Sequence, residues 1–523
     1  MSLPDDDPDD VSAESLPVKG LTRHALKGIF WLFSSSSAQS VLNVLITALL
    51  ARLLTPADFG LVAAAMVIVG LTEIFQMAGI GPVLVQRQNL NESHVRTGFT
   101  ISLLFGCAMI GLIWLLAPLI AHFFNMPDLA RVLRVMAFVF PLHAVSVISR
   151  NLMQRALLFK RMAGLDVIAY LIGYGGAGVM LAWNGWGVWA LVAAHLAYAL
   201  VQAVLLYLVQ PHSLVLQCDR QAMKDLVYSA GGFTAAHMLT YSAGKMDSLV
   251  TGRWLGSDAL GGYNRALAIA QVMVRVPMEV LNRVLFPSFA KVQQDRTRLA
   301  RAVERAVGVT TLLILPVSVG AFILADEIVA ILLGKQWGAT VWPLRILSWS
   351  MLFNMLGRMS SIIARSCGDV YRLSIRQGLY AVSMFLGAWA GQFYGLKGVA
   401  VGVTLAFGAR ALMGVHQCVI LRVLTWRGWF SLTIGALSPA FFVAVCAGGV
   451  AWMCRFWGLH PLATLFLVGG VAAISFVAYL LFGPTRFVGR NVAWCLRYVN
   501  EYWPTAFIGK RLRGDATKLS EED

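Results

Sequence analysis

The sequence predicts an all-α, polytopic membrane protein of about 14 transmembrane helices, and three observations lead to this fold class. First, 58% of the 523 residues are hydrophobic and the mean hydropathy is +0.70, far more apolar than a soluble domain requires. Second, apolar stretches of about 20 residues recur along the chain, each long enough to cross ~30 Å of hydrocarbon as a helix. Third, basic residues gather at alternate ends of these stretches.

Each apolar stretch is expected to be a helix, because a helix satisfies its own backbone hydrogen bonds in lipid. The predicted spans are residues 29–51, 60–82, 98–121, 131–149, 164–184, 187–209, 228–252, 263–286, 306–325, 343–364, 374–394, 396–421, 432–454 and 461–483.

The charge distribution predicts how the chain crosses the membrane. With the N-terminus in the cytoplasm, 28 of the 42 Lys and Arg residues fall at cytoplasmic helix ends or in the C-terminal tail, nine fall on the opposite side and five lie inside helices. This excess follows the positive-inside rule. We therefore expect both termini to lie in the cytoplasm. The net charge of +16 indicates topology rather than nucleic-acid binding.

Two helix ends that lie 201 residues apart have similar sequences, one from Arg52 to Gly60 and the other from Arg253 to Gly261. Such a repeat predicts two like bundles with a cavity between them. Six spans separate the equivalent segments, so the bundles share one orientation and are related by an axis along the membrane normal. We expect these residues to be structural corners, with each Arg at the headgroups and each Gly in a turn. Chance similarity in an apolar sequence is the alternative.

A second pair of segments, residues 133–135 and 344–346, keeps nearly the same spacing of 211 residues. The repeat and the spans together predict the organisation of the chain. Residues 1–27 form a disordered cytoplasmic N-tail, 28–210 the first six-helix lobe, 211–425 the second six-helix lobe, 426–484 two further spans, and 485–523 a cytoplasmic tail with an amphipathic helix at 486–503.

Other features narrow the class of protein. Loops between the spans are short, whereas a soluble catalytic domain normally needs ~50 residues or more, so the sequence disfavours a membrane-embedded enzyme. The acidic N-tail does not resemble a signal peptide. The seven cysteines have no spacing typical of a disulfide framework or a zinc site, and we expect no metal or other cofactor.

Ionisable side chains inside membrane spans are the candidate functional residues, because they are costly in lipid unless they face a cavity or a partner. The basic ones are Lys245, Arg275, Arg283, Arg358 and Arg410, and the acidic ones are Glu73, Asp247 and Glu279. The basic excess predicts a cationic cavity, which suits an anionic headgroup such as phosphate that Arg binds in a bidentate manner.

Spacing on the helices separates these candidates. Arg275, Glu279 and Arg283 lie four residues apart on one helix face and could form a purely structural ladder, with Glu279 as its centre. Lys245 and Asp247 are two residues apart and point in different directions. Asp247 is therefore expected to face the cavity and bind a coupling proton or sodium ion, with Glu73 as a second candidate. A structural ion pair with a neighbouring helix is the alternative for Asp247.

Several segments resemble a known family. Residues 49–63 (LLARLLTPADFGLVA) are similar to the first-loop signature of the polysaccharide transporter family, the Wzx-type flippases of the multidrug/oligosaccharidyl-lipid/polysaccharide exporter superfamily. Further segments continue the resemblance in order: 79–87 (GIGPVLVQR), Asp247 with 252–256 (GRWLG), 260–263 (LGGY), 283–287 (RVLFP) and 333–337 (LGKQW).

This resemblance implies a V-shaped, two-lobe bundle in the bacterial inner membrane. It would move undecaprenyl-diphosphate-linked oligosaccharide units from the inner to the outer leaflet for exopolysaccharide, capsule or O-antigen assembly. It implies alternating access, coupling to a proton or cation gradient, and other polysaccharide-assembly membrane proteins as partners. A drug/cation antiporter of the same superfamily is the first alternative, although it would favour an acidic cavity. A membrane-embedded polymerase or acyltransferase is the alternative from another class.

Overall fold

The computed structural model describes residues 39, 41–86, 90–220, 223, 238, 240–292 and 295–482, apart from some side chains within 75–86, within 276–292 and at 370. The predicted tails, including the amphipathic helix at 486–503, lie outside these residues. The described chain consists of helices joined by short loops, without a β-strand. Each of the 14 predicted spans overlaps a described helix, which confirms the all-α polytopic class.

The helices follow the order that the sequence predicts. In the first half they are α1 Val41–Leu53, α2 Pro56–Gln86, α3 Glu92–Phe124, α4 Leu129–Met136, α5 Val139–Arg155, α6 Phe159–Tyr170, a π-helical segment Leu171–Gly178, α7 Val179–Trp183 and α8 Val188–Val209. In the second half they are α9 Met246–Val292, α10 Arg296–Ile323, α11 Ala325–Leu332, a 3₁₀ turn Lys335–Thr340, α12 Val341–Ser366, α13 Val370–Gly391, a 3₁₀ turn Gln392–Tyr394, α14 Gly395–Ile420, α15 Trp426–Phe456 and α16 Pro461–Phe482.

The described residues include nine helical segments that are long and apolar enough to cross a membrane, so the chain is a multi-pass membrane protein. Within the second half, α12 is the central helix and packs against α9, α10 and α14. Its residues Met351, Met355 and Met359 are at most 2% exposed. The helices that carry Asp247 and Arg410 are therefore held against one buried helix, which itself carries Arg358.

The two repeated segments form different corners. In the first, the backbone N–H and hydroxyl of Thr55 both donate to the Asp58 carboxylate, at 2.9 and 2.7 Å, and Pro56 occupies the first position of α2, where its missing N–H costs nothing. In the second, Gly256 has φ 83° and ψ −177° and breaks α9 into two helices, a conformation open essentially to glycine. We call the side of the bundle that holds both corners the outer face, following the charge distribution.

Antiparallel helices α13 and α14 pack with direct backbone contact through two glycine pairs. Gly387 and Gly391 on α13 face Gly402 and Gly398 on α14, respectively. A Cβ atom on Gly402 would lie 1.9 Å from the Gly387 carbonyl oxygen, and one on Gly398 would lie 2.1 Å from that of Gly391. Glycines spaced four apart allow this close approach in membranes, where helix association depends on van der Waals packing.

We expect Gly402→Ala to destabilise the protein, because the added methyl group must force α13 and α14 apart. Overpacking of a tight contact costs about 1–3 kcal/mol. The midpoint of thermal unfolding in detergent, followed by loss of the monodisperse peak in size-exclusion chromatography, should fall relative to wild type. The matched control is Gly408→Ala on the same helix, where an added Cβ meets nothing within 4 Å. Equal midpoints for the two variants would contradict the proposed packing.

Candidate functional site

A cavity of about 580 Å³ lies between the two halves of the bundle. Its wall in the first half comes from α1, α2, α6, the π-helical segment and α8, and its other wall comes from α9, α12, α13 and α14. All the charged residues described in the lining belong to the second half: Lys245, Asp247, Arg265, Arg358 and Arg410. The first half contributes mainly apolar side chains and the phenols of Tyr170 and Tyr174. Although the sequence repeat relates the two halves, the described lining residues place their charge in the second half.

Two of the cavity arginines come from helices that pack against each other. On α12, the Arg358 Nε donates a 3.0 Å hydrogen bond to Asn354 Oδ1, one turn earlier. On α14, the Arg410 guanidinium lies 4.8 Å from the ring centroid of Tyr380, and its stem crosses Gly357, where a Cβ would approach Arg410 Cγ to 3.0 Å. Neither arginine forms an ion pair with a carboxylate among the described residues. Their charge is therefore available to an anion in the cavity.

Asp247 lines the same cavity, but its hydrogen-bond partners are neutral. Its side chain is 1% exposed, and Oδ2 accepts a 2.7 Å bond from the Tyr263 hydroxyl while Oδ1 accepts from the backbone N–H of Ser248 at 2.8 Å. Lys245 instead lies over the Tyr241 ring, with Nζ 6.0 Å from the centroid. Within the described chain, no cation reaches Asp247 closely enough to form the structural ion pair that the sequence left open.

Arg265 is a cavity residue that sequence reasoning missed, because it was counted among the nine basic residues of the outer side. The helix after the corner continues directly from Gly256, rather than beginning near residue 263. Arg265 is therefore nine residues into the helix, about 14 Å below the corner at 1.5 Å per residue. Its guanidinium lies 4.8 Å from the Phe59 ring centroid, and its buried Nε has no hydrogen-bond partner among the described residues. The glycine at position 256 was the signal that could have located it.

The second candidate for ion coupling, Glu73, lies in the first half and outside the cavity lining. Its Oε1 is 3.4 Å from His143 Nδ1, and both side chains are mostly buried, at 20% and 10% exposure. A nearby histidine has a link to the cavity, since His195 Nδ1 lies 3.1 Å from the hydroxyl of Tyr174. The π-helical segment that carries Tyr174 is the kind of distortion often found at functional sites.

The ladder predicted on α9 is only partly described. Arg275 is exposed and does not line the cavity. The side chains of Glu279 and Arg283 lie outside the described residues, so the ladder stays a prediction.

The four residues that the repeat pairs, Arg52, Gly60, Arg253 and Gly261, do more than form turns. Gly60 and Gly261 lie inside α2 and α9, respectively, where these helices cross. Arg52 donates a hydrogen bond to the backbone of the opposite half, and Arg253 lies over Phe123, also in the opposite half. All four residues therefore take part in contacts between the halves.

Known proteins share both sequence and fold with this chain. A family model described as "Polysaccharide biosynthesis protein" matches residues 49–342. The chain is 28% identical to the succinoglycan biosynthesis transport protein ExoT of Rhizobium meliloti (strain 1021) over 317 residues, which are 61% of this chain and 64% of ExoT; the match thus spans less than two thirds of that relative. It is 26% identical to the lipopolysaccharide biosynthesis protein WzxC of Escherichia coli (strain K12), over 68% of this chain and 72% of WzxC.

Among solved structures, the lipid II flippase MurJ in an inward closed conformation superposes with a TM-score of 0.68 at 14% identity, covering 86% of this chain and 98% of MurJ. At this identity the similarity concerns the fold alone. The family match extends over more than half of the chain, and it includes the segments at 79–87, 252–256 and 333–337 on which the resemblance was based. This chain is a multi-pass membrane protein that belongs to the polysaccharide biosynthesis protein family.

Proposed function

We propose that this protein is a flippase, which moves undecaprenyl-diphosphate-linked oligosaccharide units from the inner to the outer leaflet by alternating access. The observation that carries this proposal is the cavity between the halves, where four cationic side chains face one carboxyl group. Among the sequence relatives, ExoT supports the same class of activity, since it is named a transport protein. MurJ, which is named a flippase, shares the fold. The product would serve exopolysaccharide, capsule or O-antigen assembly.

The chemistry of the lining fits a headgroup that combines a diphosphate with sugars. Arginine presents a planar fork of donors that matches phosphate oxygens in pairs, and Arg265, Arg358 and Arg410 supply three forks. Tyrosine offers a flat apolar ring together with a hydroxyl group, and Tyr170 and Tyr174 place such rings on the opposite wall. The polyprenyl tail would stay in the surrounding lipid.

The coupling ion is proposed to bind at Asp247. A carboxyl group that lines a largely cationic cavity changes the balance of charge when it takes up a proton or sodium ion. Such a change would alter the affinity of the cavity for an anion. Glu73, paired with His143, is the second candidate. We further propose that the protein resides in the bacterial inner membrane with both termini in the cytoplasm, and that it works beside other membrane proteins of polysaccharide assembly.

A flipping assay with purified protein tests the proposed function. Proteoliposomes would contain undecaprenyl-diphosphate oligosaccharide with a fluorophore on the sugar, and a membrane-impermeant reductant would quench the molecules in the outer leaflet. We expect the protected fraction to become accessible much faster than in protein-free vesicles. In cells, deletion of the gene should cause the lipid-linked saccharide to accumulate in the cytoplasmic leaflet.

Two outcomes would overturn this proposal. Efflux of lipophilic cations without flipping of the labelled lipid would indicate the drug/cation antiporter, although the basic excess in the cavity disfavours cationic cargo. A covalently elongated or acylated saccharide made by the purified protein would indicate the membrane-embedded enzyme.

A further inference from the structure

The two halves meet backbone to backbone where α2 crosses α9. A Cβ atom on Gly60 would lie 1.8 Å from the Ser257 carbonyl oxygen, and a Cβ on Gly261 would lie 1.9 Å from the Pro56 carbonyl oxygen, whereas real Cβ atoms essentially never approach another atom within 3.0 Å. Phe59, the neighbour of Gly60, lines the cavity. The crossing therefore lies at the outer end of the cavity, and a side chain at either glycine is incompatible with it.

The C-terminal end of α1 is held by the opposite half. Gln336 Nε2 and Trp337 Nε1 both donate to the Ala51 carbonyl oxygen, each at 2.8 Å, and Trp337 is fully buried. Arg52 donates in turn to the carbonyl oxygen of Ile331 at 2.5 Å. The last carbonyl groups of a helix lack hydrogen-bond donors within the helix. Here the opposite half supplies donors to the carbonyl group of Ala51 at the end of α1.

An equivalent contact runs in the reverse direction. Arg253 lies 5.6 Å from the ring centroid of Phe123 in the first half. When the Asn125 amide is oriented to satisfy both of its neighbours, its oxygen accepts a 2.5 Å hydrogen bond from Arg253 Nη1. Asn125 caps α3 in the left-handed conformation, with φ 54°, a conformation that asparagine adopts more readily than most residues.

The residues that make these contacts are related by the spacing of the internal repeat. Arg52 and Arg253 are 201 residues apart, and Asn125 and Gln336 are 211 residues apart, the spacing that also relates the repeated segments at 133–135 and 344–346. The carboxamide residue of each half thus binds the arginine-bearing helix end of the other half. A role at lipid headgroups, which the sequence suggested for the two arginines, does not require this reciprocity.

We propose that the repeated Arg-to-Gly segments form a two-fold latch, which closes the cavity at the outer face and must open for release there. The glycines permit the closed contact, and Arg52, Arg253, Asn125 and Gln336 hold it. The inference rests on the proposed alternating access and adds the residues that govern one of its two states. The polar contacts of Arg52 and Arg253 flank one crossing, since Arg52 lies four residues before Pro56 and Arg253 four residues before Ser257. Opening the crossing would therefore break both sets of contacts together, which favours two discrete states over a continuum.

Distances measured by pulsed electron paramagnetic resonance test the latch without any substrate. Spin labels would be placed at the exposed positions Asp128 and Lys397, in opposite halves at the outer face, in full-length protein whose seven native cysteines are replaced by alanine. We expect the parent protein to populate a short distance. Gly60→Ala and Gly261→Ala should each raise the ratio of long to short distances roughly tenfold or more, as overpacking of a tight contact implies.

Two further variants make the result specific. Asn125→Gly combined with Gln336→Ala removes the polar side chains without adding bulk, and glycine keeps the left-handed conformation at position 125 without strain. This protein should therefore fold normally and also shift toward the long distance. Gly111→Ala, where an added Cβ meets nothing within 4 Å, should keep the parent distribution.

The latch would be refuted if the glycine variants and the carboxamide variant all matched Gly111→Ala. A shift in the glycine variants alone would reduce the contact to simple packing and overturn the role of the polar residues. The distances are independent of transport. If the variants shift the distances as expected but the protein does not flip the labelled lipid, the proposed function would be wrong and the latch would still be supported.

Discussion

Arg265→Ala is expected to reduce flipping of a diphosphate-linked saccharide by about 10-fold to 100-fold, because hydrogen bonds to charged groups contribute about 1.5–3 kcal/mol each. Arg265 lines the cavity and stacks on Phe59 at 4.8 Å. Its buried Nε has no hydrogen-bond partner within the part of the chain that the structure describes. A bound phosphate would supply that partner. The measurement is the initial rate of flipping in proteoliposomes, together with the affinity for undecaprenyl diphosphate in detergent.

Two controls separate the charge from the shape of this side chain. Arg265→Lys keeps the positive charge but loses the planar fork and its stacking, so an intermediate rate is expected. Arg131→Ala removes an exposed arginine on α4 and should leave the rate at the wild-type level. Wild-type rate and affinity in Arg265→Ala would contradict the assignment of the headgroup to this cavity. Size-exclusion profiles of every variant would exclude misfolding as the cause of a loss.

Asp247→Asn is expected to abolish accumulation driven by an ion gradient while leaving passive equilibration between the leaflets measurable. The substitution preserves the size of a side chain that is 1% exposed and still leaves an oxygen to accept the 2.7 Å bond from Tyr263. It removes the group that takes up the ion. The measurement compares flipping with and without an imposed proton or sodium gradient, and the expected ratio falls to about one, which is the value without coupling.

The controls for this prediction distinguish the two carboxyl groups. Asp128→Asn changes an exposed carboxylate at the start of α4 and should keep the gradient dependence. Glu73→Gln tests the pair with His143, which lies outside the cavity lining. If Glu73→Gln abolished the gradient dependence and Asp247→Asn did not, the coupling site would belong to the first half and the role proposed for Asp247 would be wrong.

The sequence alone was sufficient for the helical architecture, because crossing hydrocarbon imposes its own pattern on a chain. Each span needs about 20 apolar residues, and all 14 predicted spans overlap a described helix. The same argument found part of the charged lining. Of the ionisable residues singled out within spans, Lys245, Asp247, Arg358 and Arg410 line the cavity, whereas Glu73 and Arg275 do not. The length of an apolar stretch and the free-energy cost of placing a charge in lipid depend on neighbouring residues, so both can be predicted from a short segment of sequence.

Only the tertiary structure decided which of these residues meet, because contacts between segments 200 residues apart depend on how the helices cross. The break at Gly256 moves Arg265 from the outer end of a predicted span into the cavity, and hydropathy averaged over a span does not resolve such a corner. The charged residues described in the lining all come from one half, although the repeat suggested equivalent halves. Gly60 and Gly261 proved to be the contact between the halves rather than turns, since the need for glycine arises there from the backbone of the opposite helix.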